Sequence, residues 1–190
     1  VAKRLEGEVA VIDLNTLEVV ATVSSGGSRP SQVFILPGDQ TAYVLNAGGS
    51  DSFGVIDLDG ENSQLVGSVI TGNMGISWTN YGIRSDLVFT ADQTQALLTC
   101  PFDNKVQVID ISSHNIVAEV ALSDFPLQLA VAPHPTHGNI AAVTLKNGDR
   151  VGLIGGAGND WFPIVELDVP ANPAFVTYNP IKEGFEVTCV

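Results

Sequence analysis

Two arginines stand at matching places in this chain. Arg29 precedes Pro30-Ser31-Gln32-Val33, and Arg84 precedes Ser85-Asp86-Leu87-Val88. Brought to one place, two guanidinium forks bind a carboxylate or phosphate through bidentate, charge-assisted hydrogen bonds. The stretch leading into Arg84, residues 71–83 (TGNMGISWTNYGI), carries Met74, Trp78 and Tyr81 between glycines. Aromatic side chains in such a setting hold the apolar part of a ligand or the surface of a partner. Arg29, Met74, Trp78, Tyr81 and Arg84 are therefore the candidate ligand- or partner-binding residues. A structural reading competes with this one. Each arginine then pairs with a local acid such as Asp86, or stacks on Trp78, and the loop folds its aromatics over a neighbouring sheet.

Other chemistry-bearing residues point less far. His134 and His137 lie three apart, but zinc sites draw on three or four ligands and no third ligand of matching type is close by. No metal is expected there. Asp57-Leu58-Asp59-Gly60-Glu61-Asn62 is similar to a calcium loop, yet it fits a hairpin turn with Asp-Gly at its tip, and that reading is preferred. The sequence holds no Cys-x-x-Cys-His, P-loop, nucleophile elbow or Ser/His/Asp arrangement, so no catalytic residue is assigned and no cofactor is expected. Cys100 and Cys189 close the matching stretches LLTC and EVTC. Equivalent sites two repeats apart lie beyond the roughly 7 Å that a disulfide spans, so two unbonded thiols, buried or half-buried, are expected.

The elements that must position these residues are strands. The stretch 84–122 holds four apolar, β-branched runs: Leu87–Thr90, Gln95–Cys100, Lys105–Ile111 and Asn115–Leu122. Ala91-Asp92-Gln93, Pro101-Phe102-Asp103-Asn104 and Ser112-Ser113-His114 punctuate them. We term such strands a to d in chain order. The c-strand motif recurs at Val9-Ala10-Val11-Ile12-Asp13, Phe53-Gly54-Val55-Ile56-Asp57, Val106-Gln107-Val108-Ile109-Asp110 and Val151-Gly152-Leu153-Ile154-Gly155, at intervals of 44, 53 and 45 residues. The a-strand motif recurs at 30–35, 85–90, 126–131 and 173–178. Near-continuous apolar runs indicate strands covered on both faces, and helical periodicity is almost absent. A four-stranded meander repeated about every 40 residues predicts an all-β fold, a β-propeller forming one domain over 1–190. Three whole blades fall at 30–70, 84–122 and 126–168. A c–d pair at the front (8–23) and an a–b pair at the back (173–190) remain. Either they complete one composite blade and close a four-bladed ring, or the chain is part of a larger ring. In the second case missing sequence, a second copy or a partner chain supplies the rest.

VAVIDLNTLEVVATV (9–23), RPSQVFILPGDQTAYVLN (29–46) and KVQVIDISSHNIVAEVAL (105–122) resemble the YVTN-type propeller repeat of surface-layer and lactonase-like proteins. The last unit departs from it: Gly155 replaces the motif Asp, and GGAGNDW (155–161) replaces the usual c–d turn. The resemblance implies the fold and leaves several functions open, because one fold hosts many. The first is a secreted or surface-associated scaffold that binds a protein partner or a small anionic ligand. The second is an enzyme of lactonase or lyase type, and the third the propeller portion of a cofactor-dependent dehydrogenase.

Composition narrows the partners. With 45% hydrophobic residues, 190 residues suffice for a core. Eight basic against twenty-one acidic side chains give a net charge of −13, which argues against nucleic acid, whose binding needs clustered Lys and Arg. No apolar run approaches a membrane span. An extracellular, cell-surface or periplasmic location is the expectation.

Overall fold

The computed structural model describes every residue except Asp39, Gly49, Ser50 and residues 75–84. The chain divides into two compact units, Val1–Gly72 and Asn73–Val190. In the first, β1 (Ala2–Lys3), β2 (Glu8–Asp13) and β3 (Glu18–Ser24) form a three-stranded sheet; β4 (Pro30–Ile35), β5 (Thr41–Asn46), β6 (Ser52–Asp57) and β7 (Gln64–Ile70) form a four-stranded one. In the second, β8 (Leu87–Phe89), β9 (Gln95–Cys100), β10 (Lys105–Asp110) and β11 (Asn115–Ala121) make one four-stranded sheet. The next is β12 (Pro126–His134), β13 (Gly138–Leu145), β14 (Arg150–Ala157) and β15 (Asp160–Asp168), and the hairpin β16 (Pro173–Asn179) and β17 (Gly184–Cys189) follows. Strands pair antiparallel with their chain neighbours throughout. The three whole blades thus lie where the repeat placed them. Among the described residues the helical pieces are two short 3-10 turns, Gly60–Asn62 and Pro101–Asp103, and no helix is long and apolar enough to cross a membrane.

Glu8–Ser24 belongs to the three-stranded sheet of the first unit and Pro173–Cys189 to the two-stranded sheet of the second. In the first unit Ala2 and Lys3 pair with Val9 and Glu8 along one edge of β2.

Burial explains the apolar runs. Every residue of β9 is buried, as are all but the first of β5 and all but the last of β6. These middle strands are covered on both faces, so alternation is lost. The d strand β7, by contrast, alternates strictly between exposed and half-buried positions. In the first unit Val9, Val23, Ala42, Val44 and Ile56 form a core cluster. In the second, Leu97, Val106 and Val108 of one sheet pack with Leu129, Val143 and Ile154 of the next. Each such side chain contributes about 1.5–3 kcal/mol on burial.

The repeat motif also fixes a local irregularity. Each c–d ladder slips at the same place, at Val11/Ile12, Val55/Ile56, Val108/Ile109 and Leu153/Ile154. A bulge there raises the local twist of the outer strand. The motif aspartate then folds the turn. Asp13 Oδ1 accepts from the N–H groups of Asn15 (2.6 Å) and Thr16 (3.2 Å), and Asp110 Oδ1 accepts from Ser113 N–H and the Ser112 hydroxyl. In the first unit Asp57 ends β6 and the Gly60–Asn62 turn leads back into β7, so DLDGEN is a c–d turn. Cys100 is buried with Sγ 3.4 Å from Gln107 Oε1, Cys189 is half-buried, and neither is in a disulfide.

Candidate functional site

Turns between b and c strands are tied by backbone bonds to the connections between sheets. In the first unit the N–H of Ala47 donates to Arg29 O (3.3 Å). In the second, Leu122 N–H donates to Asn104 O (2.8 Å), Lys146 N–H to Phe125 O (3.0 Å) and Val169 N–H to Asp149 O (2.9 Å). Within each unit, therefore, b–c turns and d–a connections share one face. The long connection joins it too: Asn73 N–H donates to Asp103 Oδ2 (2.8 Å) and Asn73 O accepts from Phe102 N–H (3.2 Å).

The residues singled out in the sequence fall as follows. Arg29 belongs to the first unit and adopts the left-handed conformation (φ 56°). Met74 belongs to the second and is only 1% exposed; its carbonyl accepts from the Ser85 hydroxyl at 3.2 Å. It is a core side chain, placed there by the docking of Asn73 on the Pro101–Asp103 turn. Trp78, Tyr81 and Arg84 lie outside the described residues. His134 and His137 stack ring on ring (centroids 5.0 Å), and His134 Nδ1 already accepts from the N–H groups of Thr136 and His137. Among the described residues no group of three His, Cys, Asp or Glu is arranged to hold a metal ion.

On the shared face of the second unit lies a cleft of about 500 Å³, between the starts of β12 and β16. Leu127, Gln128, Lys146, Asn172 and Phe175 line it. Its floor is held from several sides. Thr99 Oγ1 donates to Leu127 O (3.1 Å), Gln128 N–H donates to Thr144 Oγ1 (3.0 Å), and Leu129 N–H donates to Asp86 Oδ2 (2.9 Å). Asp86 Oδ1 accepts a further bond from Leu87 N–H. Burial pushes the Asp86 carboxyl above its ordinary range, and these two backbone bonds only partly offset it. The connection leading into Leu127 is fixed as well: the Ser123 N–H and hydroxyl both donate to Glu166, which also accepts from Arg150 Nη1 at 2.7 Å. Burial works against ionisation of Glu166, but the Ser123 and Arg150 donors outweigh it and hold the carboxyl below its usual range.

The rim is chemically mixed. Asn172 is set by its N–H, which donates to Asp149 Oδ1 at 2.8 Å. Phe175 is 62% exposed. The Lys146 side chain is exposed, and among the described residues its ammonium makes no ion pair. Lys3, Lys105, Arg150 and Lys182 each pair with a glutamate. A cation, two amides and an aromatic face thus converge on one concave surface. Lys146 was not singled out in the sequence; its one signal is that the residue after the b strand is Ala47, Pro101 and Lys146 in the three four-stranded sheets.

No family model and no curated protein matches the chain. Solved structures do. The chain is similar to hydrazine synthase of Kuenenia stuttgartiensis, with a TM-score of 0.64 and 15% identity over 99% of this chain and 66% of that one. It is similar to a provisionally assigned 6-phosphogluconolactonase from Bacteroides uniformis (TM-score 0.67, 14% identity, 96% and 56%). A third is the dihydro-heme d1 dehydrogenase NirN, solved in complex with DHE (TM-score 0.70, 15% identity, 93% and 37%). At such identities the similarity shows the fold alone: four-stranded antiparallel sheets of the β-propeller kind, matching most of this chain and at most about two thirds of each relative.

Proposed function

We propose that this chain is a β-propeller binding module, secreted or surface-associated, whose face of b–c turns and sheet connections holds a small anionic ligand or a partner. The observation that carries the reading is the cleft between β12 and β16, where the Lys146 ammonium stands among amide and aromatic side chains. Few polar groups set in a partly apolar concavity orient a ligand without reacting with it. Trp78, Tyr81 and Arg84 enter through the connection that begins at Asn73, and Arg29 stands at the matching repeat position of the first unit. Each is kept as a proposed ligand or partner contact of its own unit.

The similarity to structures titled as a lactonase and a dehydrogenase supports a second reading, in which the chain is the propeller portion of an enzyme. That reading requires an acid–base group within about 2.6–3.2 Å of a bound substrate. Amide hydrogen exchange of the chain against a panel of small carboxylates, amines and neutral fragments tests the binding face. Protection gathered in 125–128, 146–150 and 169–175 is the expected result. Protection confined to the opposite turns, 111–114 and 158–159, overturns it.

A further inference from the structure

We propose that the cleft between β12 and β16 selects a monocarboxylate bearing an aromatic or branched aliphatic tail. The carboxylate sits on Lys146 and Gln128, and the tail lies on Phe175 and Leu127. This rests on the reading of that face as the binding face and names its ligand class.

Charge is the first argument. In a chain of net charge −13, an anion approaches only where a local cation reverses the field. Lys3, Lys105, Arg150 and Lys182 are each engaged by a glutamate, whereas the Lys146 ammonium is placed at the cleft with no such partner among the described residues. Its backbone N–H is bonded to Phe125 O, so the turn is fixed and the side chain alone is left to act.

The count of charges decides between anions. Two acids border the same turn, but each accepts hydrogen bonds. Asp149 Oδ1 accepts from Asn172 N–H (2.8 Å), and Asp124 Oδ1 from Phe125 N–H (2.7 Å) and Asn147 Nδ2 (3.2 Å). Lys146 is the one cationic side chain of the described lining, so it meets one carboxylate directly. A phosphate dianion would ask for a second cation, and the described lining has none.

The apolar half of the cleft sets the rest of the ligand. Phe175 presents most of its ring to solvent beside Leu127 and Pro173. Covering that ring removes apolar surface from water, and an aromatic tail adds an offset or edge-to-face ring contact. At about 500 Å³ the cleft falls within the range of small-molecule sites, so tail and carboxylate fit together.

The test is a titration of the full chain with 3-phenylpropionate, followed by backbone amide shifts and calorimetry. 3-Phenylpropionamide, 3-phenylpropylamine and inorganic phosphate serve as comparison probes. Binding of the acid should move the amides of Leu127, Gln128, Lys146 and Phe175. The amide and the amine should bind at least about tenfold more weakly. Lys146→Ala and Phe175→Ser should each weaken the acid by about tenfold, while Lys146→Arg holds it within about threefold. Both positions are exposed, and unchanged circular dichroism shows that the variants fold. Equal binding of acid and amide, an unaffected Lys146→Ala, or phosphate moving the same amides more strongly than the acid overturns the proposal. If the acid leaves these amides unmoved while another probe shifts them, the ligand class fails and the binding face stands. If every probe that binds shifts only residues elsewhere, both fail.

Discussion

The indole N–H of Trp161 donates to Gln95 Oε1 at 3.0 Å, linking β9 of one four-stranded sheet to the β14–β15 hairpin of the next. Gln95 Nε2 donates in turn to Gly158 O at 2.6 Å. Both side chains are buried, with Gln95 3% and Trp161 8% exposed. One amide therefore satisfies a donor that the packing of the two sheets removes from water and ties down the exposed Gly158 turn. Gln95→Leu keeps the bulk, leaves the buried indole N–H unpaired and returns the Gly158 carbonyl to water. At about 1–3 kcal/mol for an orphaned buried group, the second unit should lose roughly that much stability. Urea unfolding followed by tryptophan emission measures it, and a loss under about 0.5 kcal/mol would mean that water replaces the amide.

Leu17 (φ 60°) and His114 (φ 56°) are left-handed at the same place, four residues after the motif aspartates Asp13 and Asp110. The c–d turn demands this conformation, because Leu17 N–H returns to Asp13 O at 2.8 Å. A bulky L-residue there carries about 1–2 kcal/mol of strain, and Leu17 is 79% exposed, so its side chain returns little by packing. Leu17→Gly should raise stability by about 0.5–1 kcal/mol. Leu14→Gly is the matched control: Leu14 is 82% exposed and has no positive φ, so it should gain nothing. Thermal melts of the two variants decide it.

The sheets were legible because their causes are local. Turn formers stand at 91–93, 101–104 and 112–114, and Gln95–Cys100 was bounded to the residue. The pairing of Ala2 and Lys3 with Val9 and Glu8 was not legible, since two residues carry no period. Met74 read as a surface contact because a methionine between glycines has no pattern to mark it as core; the docking of Asn73 on Asp103 buries it. The cleft was hidden for a different reason. Gln128, Lys146, Asn172 and Phe175 are ordinary residues for their elements, and only the approach of β12 to β16 makes them neighbours. No spacing in the chain encodes that approach.

Gly54 and Gly152 hold the same place in the c-strand motif, FGVID and VGLIG, and they should respond differently to one added methyl. A Cβ on Gly54 would lie 2.0 Å from the carbonyl oxygen of Ser25, which is fixed by a 2.8 Å bond from Asn46 Nδ2. A Cβ on Gly152 would first meet a Leu122 methyl at 3.3 Å, the end of a movable side chain. Gly54→Ala should therefore cost the first unit upwards of about 3 kcal/mol, the top of the usual overpacking range, and Gly152→Ala under about 1 kcal/mol. Denaturant midpoints for the two variants, with the parent as reference, supply the comparison. Equal effects would show that the Ser25 backbone yields as easily as the Leu122 side chain.

Asp86 gives stability a pH dependence with a definite sign. Burial raises its carboxyl above the ordinary 3.8, and the Leu129 and Leu87 N–H groups lower it by less. A group whose folded-state pKa is raised binds its proton more tightly when folded. Its contribution is full below the unfolded value and is lost as pH rises through the folded value. Above that point the chain keeps a buried carboxylate whose remaining support is the pair of backbone donors. Asp86→Asn removes the titration, retains one acceptor oxygen and leaves one of those N–H groups unpaired, a loss that does not vary with pH. The stability difference between parent and variant should thus move against the parent as pH rises from about 3.5 through the raised value, and then level off. Other carboxylates titrate equally in both proteins and cancel in the difference. Paired urea unfolding curves across that range read it directly. A difference that stays flat, or one that moves in the parent's favour, would show that the two backbone bonds outweigh burial at this carboxyl.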